Sequence, residues 1–210
     1  MMFKTIKENI TSEIVEKKSK FIANLFYVQN PTEAEDIIKQ IKKKYYDARH
    51  NCFAYCISTE QGIIKKSSDD GEPSGTAGAP MLSILEKNAI CNVLVIVTRY
   101  FGGILLGTGG LVRAYSDATL KAIEQAEIVK EENGIEVLIE VEYPELENFK
   151  YYCRKNGINI TNIEYDKNIK CFIEINTQEK EELISNNEKK VINIIKYEIL
   201  KEKNIRKSNI

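Results

Sequence analysis

The sequence predicts an α+β chain of two domains, and three observations carry that reading. Residues 93–97 form a continuous apolar run rich in β-branched side chains, as a strand buried on both faces requires. A glycine-rich loop follows it, and then a helical stripe of Leu111, Tyr115, Ala118 and Ala122. From residue 135 onward the patterns run β-α-β-β-α-β, the order of a ferredoxin-like split βαβ unit. Asn133-Gly134 reads as the end of the helix and as the boundary between a domain of residues 1–130 and one of residues 135–205.

Taken in order, residues 12–18 and 19–28 read as two strands, the second rich in aromatic and β-branched residues. Asn30-Pro31-Thr32-Glu33 is a helix start, with an N-cap asparagine, proline at the first helical position and glutamate at the third. Ala34, Ile37, Ile38, Ile41 and Tyr45 give that helix its apolar stripe, and Lys39, Lys42 and Lys43 its solvated face. Residues 51–58 read as a strand, and Gln61-Gly62 as the turn of a hairpin completed by residues 63–67. Pro80 opens a helix through Leu82, Leu85 and Ile90 that leads to the 93–97 strand. In the second domain, residues 135–141, 158–165, 169–175 and 191–200 are strands. Residues 144–155 are a helix stopped by Asn156-Gly157, and residues 177–185 are a helix capped by Thr177.

Two stretches carry the candidate chemistry. The first, DDGEPSGTAGAP at 69–80, is an irregular loop holding Asp69, Asp70, Glu72, Ser74 and Thr76. Such loops inside compact domains are often functional. Its three carboxylates are candidates for a metal or a general base, whereas Ser74 and Thr76 lack the setting of a nucleophile elbow. The second, residues 99–113, holds Gly102, Gly103, Gly107, Gly109 and Gly110 between Arg99 and Arg113, and starts a helix. Gly102-x4-Gly107-Thr108 has P-loop spacing but no lysine. Gly107-x-Gly109 is followed by Val112 where a dinucleotide fingerprint needs a third glycine. What survives is a glycine-rich helix start flanked by two arginines, suited either to an anion or to a tight turn and close packing.

Composition narrows the classes. The chain has 30 Lys+Arg against 31 Asp+Glu and a net charge of −1, so no whole-protein field draws nucleic acid, and any such site is a local patch. Five cysteines without C-x-x-C spacing suit a reducing compartment. Cys52 and Cys56 fall on one strand face, but with only His50 nearby they lack the ligands of a zinc site and read as buried thiols. His50, the one histidine, stands at a strand edge, where a hydrogen-bonded structural role is the commoner one. No apolar run spans a membrane and residues 1–13 hold no signal-peptide core, so a cytoplasmic protein is expected.

DDGEPSGTAGAP (69–80) and VTRYFGGILLGTGGLVRAYSDA (97–118), with KKSKFIA (17–23) and DARHNCFAY (47–55), closely resemble the YigZ/IMPACT family. The resemblance covers residues 15–125, and the second half is similar to the small C-terminal domain of the bacterial members. It implies an N-terminal domain like the second domain of ribosomal protein S5 and a ferredoxin-like C-terminal domain. Both are similar to domains of the ribosomal translocation factor, its fourth and fifth. It also implies a link to translation, since the eukaryotic relatives regulate it by competing for the co-activator of a starvation-activated kinase. Those relatives carry a separate partner-binding domain, so that particular partner is not carried over.

Three functions are weighed. The first is a translation-associated protein that binds RNA, ribosomes or translation factors. Arg49, Arg99 and Arg113 would lie on phosphates, and Tyr100 or Phe101 would stack on a base. The second is an enzyme on a phosphorylated or carboxylated small molecule, held at the glycine-rich helix start with Asp70 or Glu72 as base or metal ligand. The third is a protein-binding regulator. No catalytic motif is complete, so no catalytic residue, metal or cofactor is assigned. The candidate binding residues are Arg49, His50, Asp70, Glu72, Ser74, Thr76, Arg99, Tyr100, Gly102, Gly103, Gly107, Gly109, Gly110 and Arg113, with the two glycine-rich stretches expected side by side.

Overall fold

The computed structural model describes residues 3–59 and 61–207 and divides into two compact units, Phe3–Lys130 and Glu131–Lys207. In the first unit, five strands form a sheet in the order β2-β3-β6-β4-β5: β2 (Ile10–Glu16), β3 (Ser19–Tyr27), β4 (His50–Thr59), β5 (Gly62–Ser68) and β6 (Val93–Tyr100). All four ladders are antiparallel.

β6 is the central strand, which explains its unbroken apolar run. Leu94 and Ile96 face one side and pack with Ala34, Ile38 and Ile41 of α1 (Pro31–Lys44). Val93, Val95 and Val97 face the other side. There they meet Met81 and Leu85 of α2 (Gly78–Lys87) and Leu111, Tyr115, Ala118 and Ala122 of α3 (Gly107–Gln125). The period of two along the strand thus feeds two cores. α1 starts as its sequence predicts: the Asn30 side chain accepts from Glu33 N at 2.9 Å, and Glu33 Oε2 accepts from Gln29 N at 2.8 Å.

A short first strand, β1 (Phe3–Ile6), is absent from the sequence reading; it pairs with β7 (Ile128–Val141), which begins inside this unit. β7 also replaces the expected break at Asn133-Gly134, since the strand runs through both residues. Gly134 serves close packing there: a Cβ on it would stand 2.6 Å from Ile205 Cδ1 and 2.8 Å from Ile175 O. The helix before it ends earlier, at Gln125.

The second unit is ferredoxin-like. Its sheet holds β10 (Lys196–Lys207), β7, β9 (Ile169–Ile175) and β8 (Asn159–Tyr165) in that order. Alternate residues of β7 and β9, including Val137, Ile139, Cys171 and Ile173, share a core with Phe149 and Cys153 of α4 (Leu146–Lys155) and Leu183 of α5 (Thr177–Glu188). Two details depart from the sequence reading. α5 is capped by Asn176, which forms a capping box with Glu179, while Thr177 is already the first helical residue. β10 starts at Lys196 rather than 191, because residues 191–195 approach the sheet edge as irregular chain. Among the described residues no helix is long and apolar enough to cross a membrane.

Candidate functional site

The 69–80 stretch is folded onto the sheet by its own carboxylates. Asp69 accepts three backbone N–H groups, from Gly75 at 2.8 Å, Ala77 at 2.9 Å and Gly78 at 2.8 Å. Ala77 and Gly78 open α2, so Asp69 supplies the cap that the N-cap residue itself does not. Burial alone would push the Asp69 carboxyl up, but the three N–H bonds outweigh it and hold it below the usual value.

Asp70 sits at φ +42°, accepts from Asn51 N at 2.8 Å, and pairs with Lys42 at 2.5 Å. Its carbonyl lies 3.0 Å from His50 Nδ1, so that nitrogen donates and His50 braces the loop. Thr76 is buried and donates to the Pro73 carbonyl at 2.6 Å, whereas Ser74 is exposed.

Glu72 turns inward and joins the two stretches. Its Oε1 accepts from Arg99 Nη1 at 2.8 Å and from Tyr115 Oη at 2.7 Å, and its Oε2 lies 3.1 Å from the same Nη1. Cys52 continues this network. Its Sγ is 3.3 Å from Tyr115 Oη and 2.9 Å from the Asp69 carbonyl. Burial pushes the Cys52 thiol up to about 12 and raises Tyr115 further still, so neither group ionises near neutrality. The Arg99 guanidinium lies between the Phe21 and Phe101 rings, 5.6 Å from each centroid. Its residue is 7% exposed. Arg99 is therefore the inner half of a clamp rather than an outward-facing cation.

The glycine-rich stretch crosses the turn between β2 and β3. Lys17 and Lys18 form that two-residue turn, both with positive φ, at 45° and 65°. Gly102 lies directly on it: a Cβ there would stand 2.0 Å from Lys18 C, and Gly102 N donates to Ser19 Oγ at 3.1 Å. Tyr100 Oη donates to Asp47 at 2.8 Å, a bond that together with burial pushes its hydroxyl up to about 12.

Beyond Gly102 the chain is open to solvent. Gly103 and Gly107 are exposed, as are Phe101 at 55%, Ile104 at 43% and Leu105 at 82%. α3 then starts without a side-chain cap at Leu106. Gly110 and Arg113 line a shallow cavity of about 280 Å3 with Lys17, Glu16 and Asp117. Arg113 and Asp117, one turn apart, form no ion pair there. Among the described residues, Arg49, Lys17 and Arg113 have no acidic partner.

Thus Glu72 and Arg99 meet in one buried network, His50 and Asp70 brace the loop that carries it, and Thr76 is buried on its own bond to Pro73. Gly110 and Arg113 face outward with Lys17, and Arg49 stands exposed at the root of β4. Lys17 and Tyr115 were not among the sequence candidates. A lysine pair in a two-residue hairpin turn carries none of the usual Asn-Gly signal, and Tyr115 reads only as part of an apolar stripe. Among the described residues no group of three His, Cys, Asp or Glu side chains converges.

The family described as Impact N-terminal domain matches residues 17–123, which contain both stretches. A second, described as a domain of unknown function (DUF1949), matches residues 139–186. The chain is 40% identical over 177 residues to IMPACT family member YvyE of Bacillus subtilis, covering 84% of this chain and 80% of that protein. It is 44% identical over 97 residues to the protein IMPACT homolog of Dictyostelium discoideum, covering 45% of this chain and 28% of that protein. A solved crystal structure of a hypothetical protein, 27% identical, superposes with a TM-score of 0.62 over 95% of this chain and 96% of the other.

Proposed function

Because this chain belongs to the IMPACT family, we propose that it acts in translation regulation by binding RNA of the translation machinery through the outer rim of the two stretches. One observation carries this reading. The three carboxylates of the 69–80 loop are all consumed internally, by backbone N–H groups, Lys42, Arg99 and Tyr115. Among the described residues three exposed cations, Lys17, Arg49 and Arg113, have no acidic partner, and Phe101 is exposed as well. Phosphates bind to such cations, and an exposed aromatic ring stacks on an unpaired base. The uncapped start of α3 adds N–H groups and about half a positive charge toward the same rim.

The enzyme reading loses its support in the same geometry. Asp70 and Glu72 are already bonded, and the cavity beside Arg113 is shallow and lined by acids as well as bases. A protein partner is the second reading, and the exposed Phe101, Ile104 and Leu105 favour it. Purifying the tagged protein from its own cells separates the two. Co-purified ribosomal RNA that survives mild washing but leaves at high salt supports the proposal. A stoichiometric protein partner without RNA overturns it.

A further inference from the structure

The thiols of Cys56 and Cys91 lie 3.3 Å apart and both residues are buried. Cys56 follows Cys52 and Ala54 at a spacing of two along β4, on the face that packs against α2 and α3. Cys56 stands in β4 opposite Val93, and Cys91 comes two residues before Val93, just ahead of β6. Between them Asn92 adopts φ +55° and is fixed by Ser58 N, which donates to its Oδ1 at 2.8 Å. Nothing in the signature network uses either thiol. We propose that Cys56 and Cys91 are a reversible redox pair, which hydrogen peroxide converts to a disulfide that ties β4 to the root of β6.

The two sulfurs need to close from 3.3 Å to the S–S length of about 2.05 Å. The other cysteines are held differently. Cys52 is bonded to Asp69 O and Tyr115, and burial pushes it up to about 12. Cys153 is pushed up to about 12 by burial, and Cys171 is raised by burial as well. Cys56 moves the opposite way. Its contact with Cys91 favours the thiolate more than burial opposes it; Lys65, directly opposite on β5, adds to the effect, and Glu86, which is ion-paired to Lys65, offsets part of it. β5 is the edge strand and is solvent-exposed along its length, so fraying of this strand is the route by which a small oxidant reaches Cys56.

The step balances as follows. The Cys56 thiolate attacks one peroxide oxygen and the O–O bond breaks. Cys56 becomes a sulfenic acid, and the released hydroxide takes the proton that Cys56 gave up, forming water. Cys91 sulfur then attacks Cys56 sulfur and the S–O bond breaks. The departing hydroxide takes the Cys91 proton as a second water. Two thiols lose two electrons and peroxide gains them. The new bond closes a loop that contains β5, the whole 69–80 stretch and α2, so it restricts the unfolded chain and stabilises the oxidised protein over the reduced one.

The test treats the full chain with dilute hydrogen peroxide, alkylates it after unfolding, and maps the peptides by mass spectrometry. The expected result is a Cys56–Cys91 linked peptide that a dithiol reductant removes, with Cys52, Cys153 and Cys171 alkylated. The melting temperature should rise by several degrees on oxidation, and neither Cys56→Ser nor Cys91→Ser should show that rise. Overoxidised Cys56 without a link, a link between chains, a link to another cysteine, or no reaction each overturns the proposal. The wild-type peptide map decides the matter even if a serine variant folds poorly.

Discussion

Arg99 and Glu72 form a buried ion pair that fastens the end of the central strand to the 69–80 loop. Nη1 stands 2.8 Å from Oε1, and the two side chains are 8% and 3% exposed. Tyr115 Oη donates to the same carboxylate from α3, so one group joins sheet, loop and helix. Removing one partner leaves an uncompensated buried charge, which costs about 3–5 kcal/mol. Glu72→Ala should lose about that much in urea unfolding. The double variant Glu72→Leu with Arg99→Met should lose clearly less, since no lone charge remains. Equal losses in the single and double variants would mean the pair is not the clamp.

Asp69 gives the loop a pH dependence of definite sign. Its folded-state value lies below 3.8, so its contribution is fully present above that value and is lost as the pH falls through the folded-state value. Asp69→Ala should destabilise the protein by at least about 2 kcal/mol at neutral pH, as three N–H groups lose a charged acceptor. Urea melts of wild type and variant should draw together as the pH falls below 3.8 and separate as it rises. A gap that stays constant across this range would remove Asp69 as the cause.

The glycines of the second stretch divide by what surrounds them. A Cβ on Gly102 meets the Lys18 backbone at 2.0 Å, whereas a Cβ on Gly109 meets nothing within 4 Å. Gly102→Ala should therefore destabilise by about 1–3 kcal/mol, as overpacking does. Gly109→Ala lies in the first turn of α3 and should stabilise by up to about 1 kcal/mol. If RNA phosphates approach the helix start, Gly109→Ala should also weaken RNA binding while raising the melting temperature, a split that a purely structural glycine would not produce.

In the second unit, Asn176→Ala should cost about 1 kcal/mol by thermal melting, because its side chain caps α5 by accepting from Glu179 N at 2.9 Å. Thr177→Ala should change stability by less than about 0.5 kcal/mol.

Much of the architecture was legible because it is written in local patterns. The period of two in β9, the stripe of α1 and its Asn30 cap each follow from short-range chemistry. β1 was not legible: its four residues carry no turn signal, and their partners are a strand more than 120 residues later and a bridge from Lys4 to Ile90. Gly134 misled because a glycine after asparagine reads as a turn, whereas here it makes room for Ile205. The site was half legible. The sequence marked the two stretches, but not that Glu72 would point inward and bury Arg99. That pairing depends on tertiary contact between residues 27 positions apart. Arg113 and Arg49 remain as the outward candidates, and Lys17 joins them only once the hairpin places it beside α3.

The most direct test of the RNA reading is the salt dependence of binding to purified ribosomes and to total cellular RNA. The wild type is compared with Lys17→Ala, Arg49→Ala, Arg113→Ala combined, each protein checked for folding by circular dichroism. Cations that contact phosphates release counterions, so the slope of log affinity against log salt should become shallower by about 0.7 for each one removed on single-stranded RNA. The account predicts weaker binding and a shallower slope in the triple variant. Wild-type protein that fails to bind even at low salt, or a triple variant with unchanged affinity and slope, would contradict it.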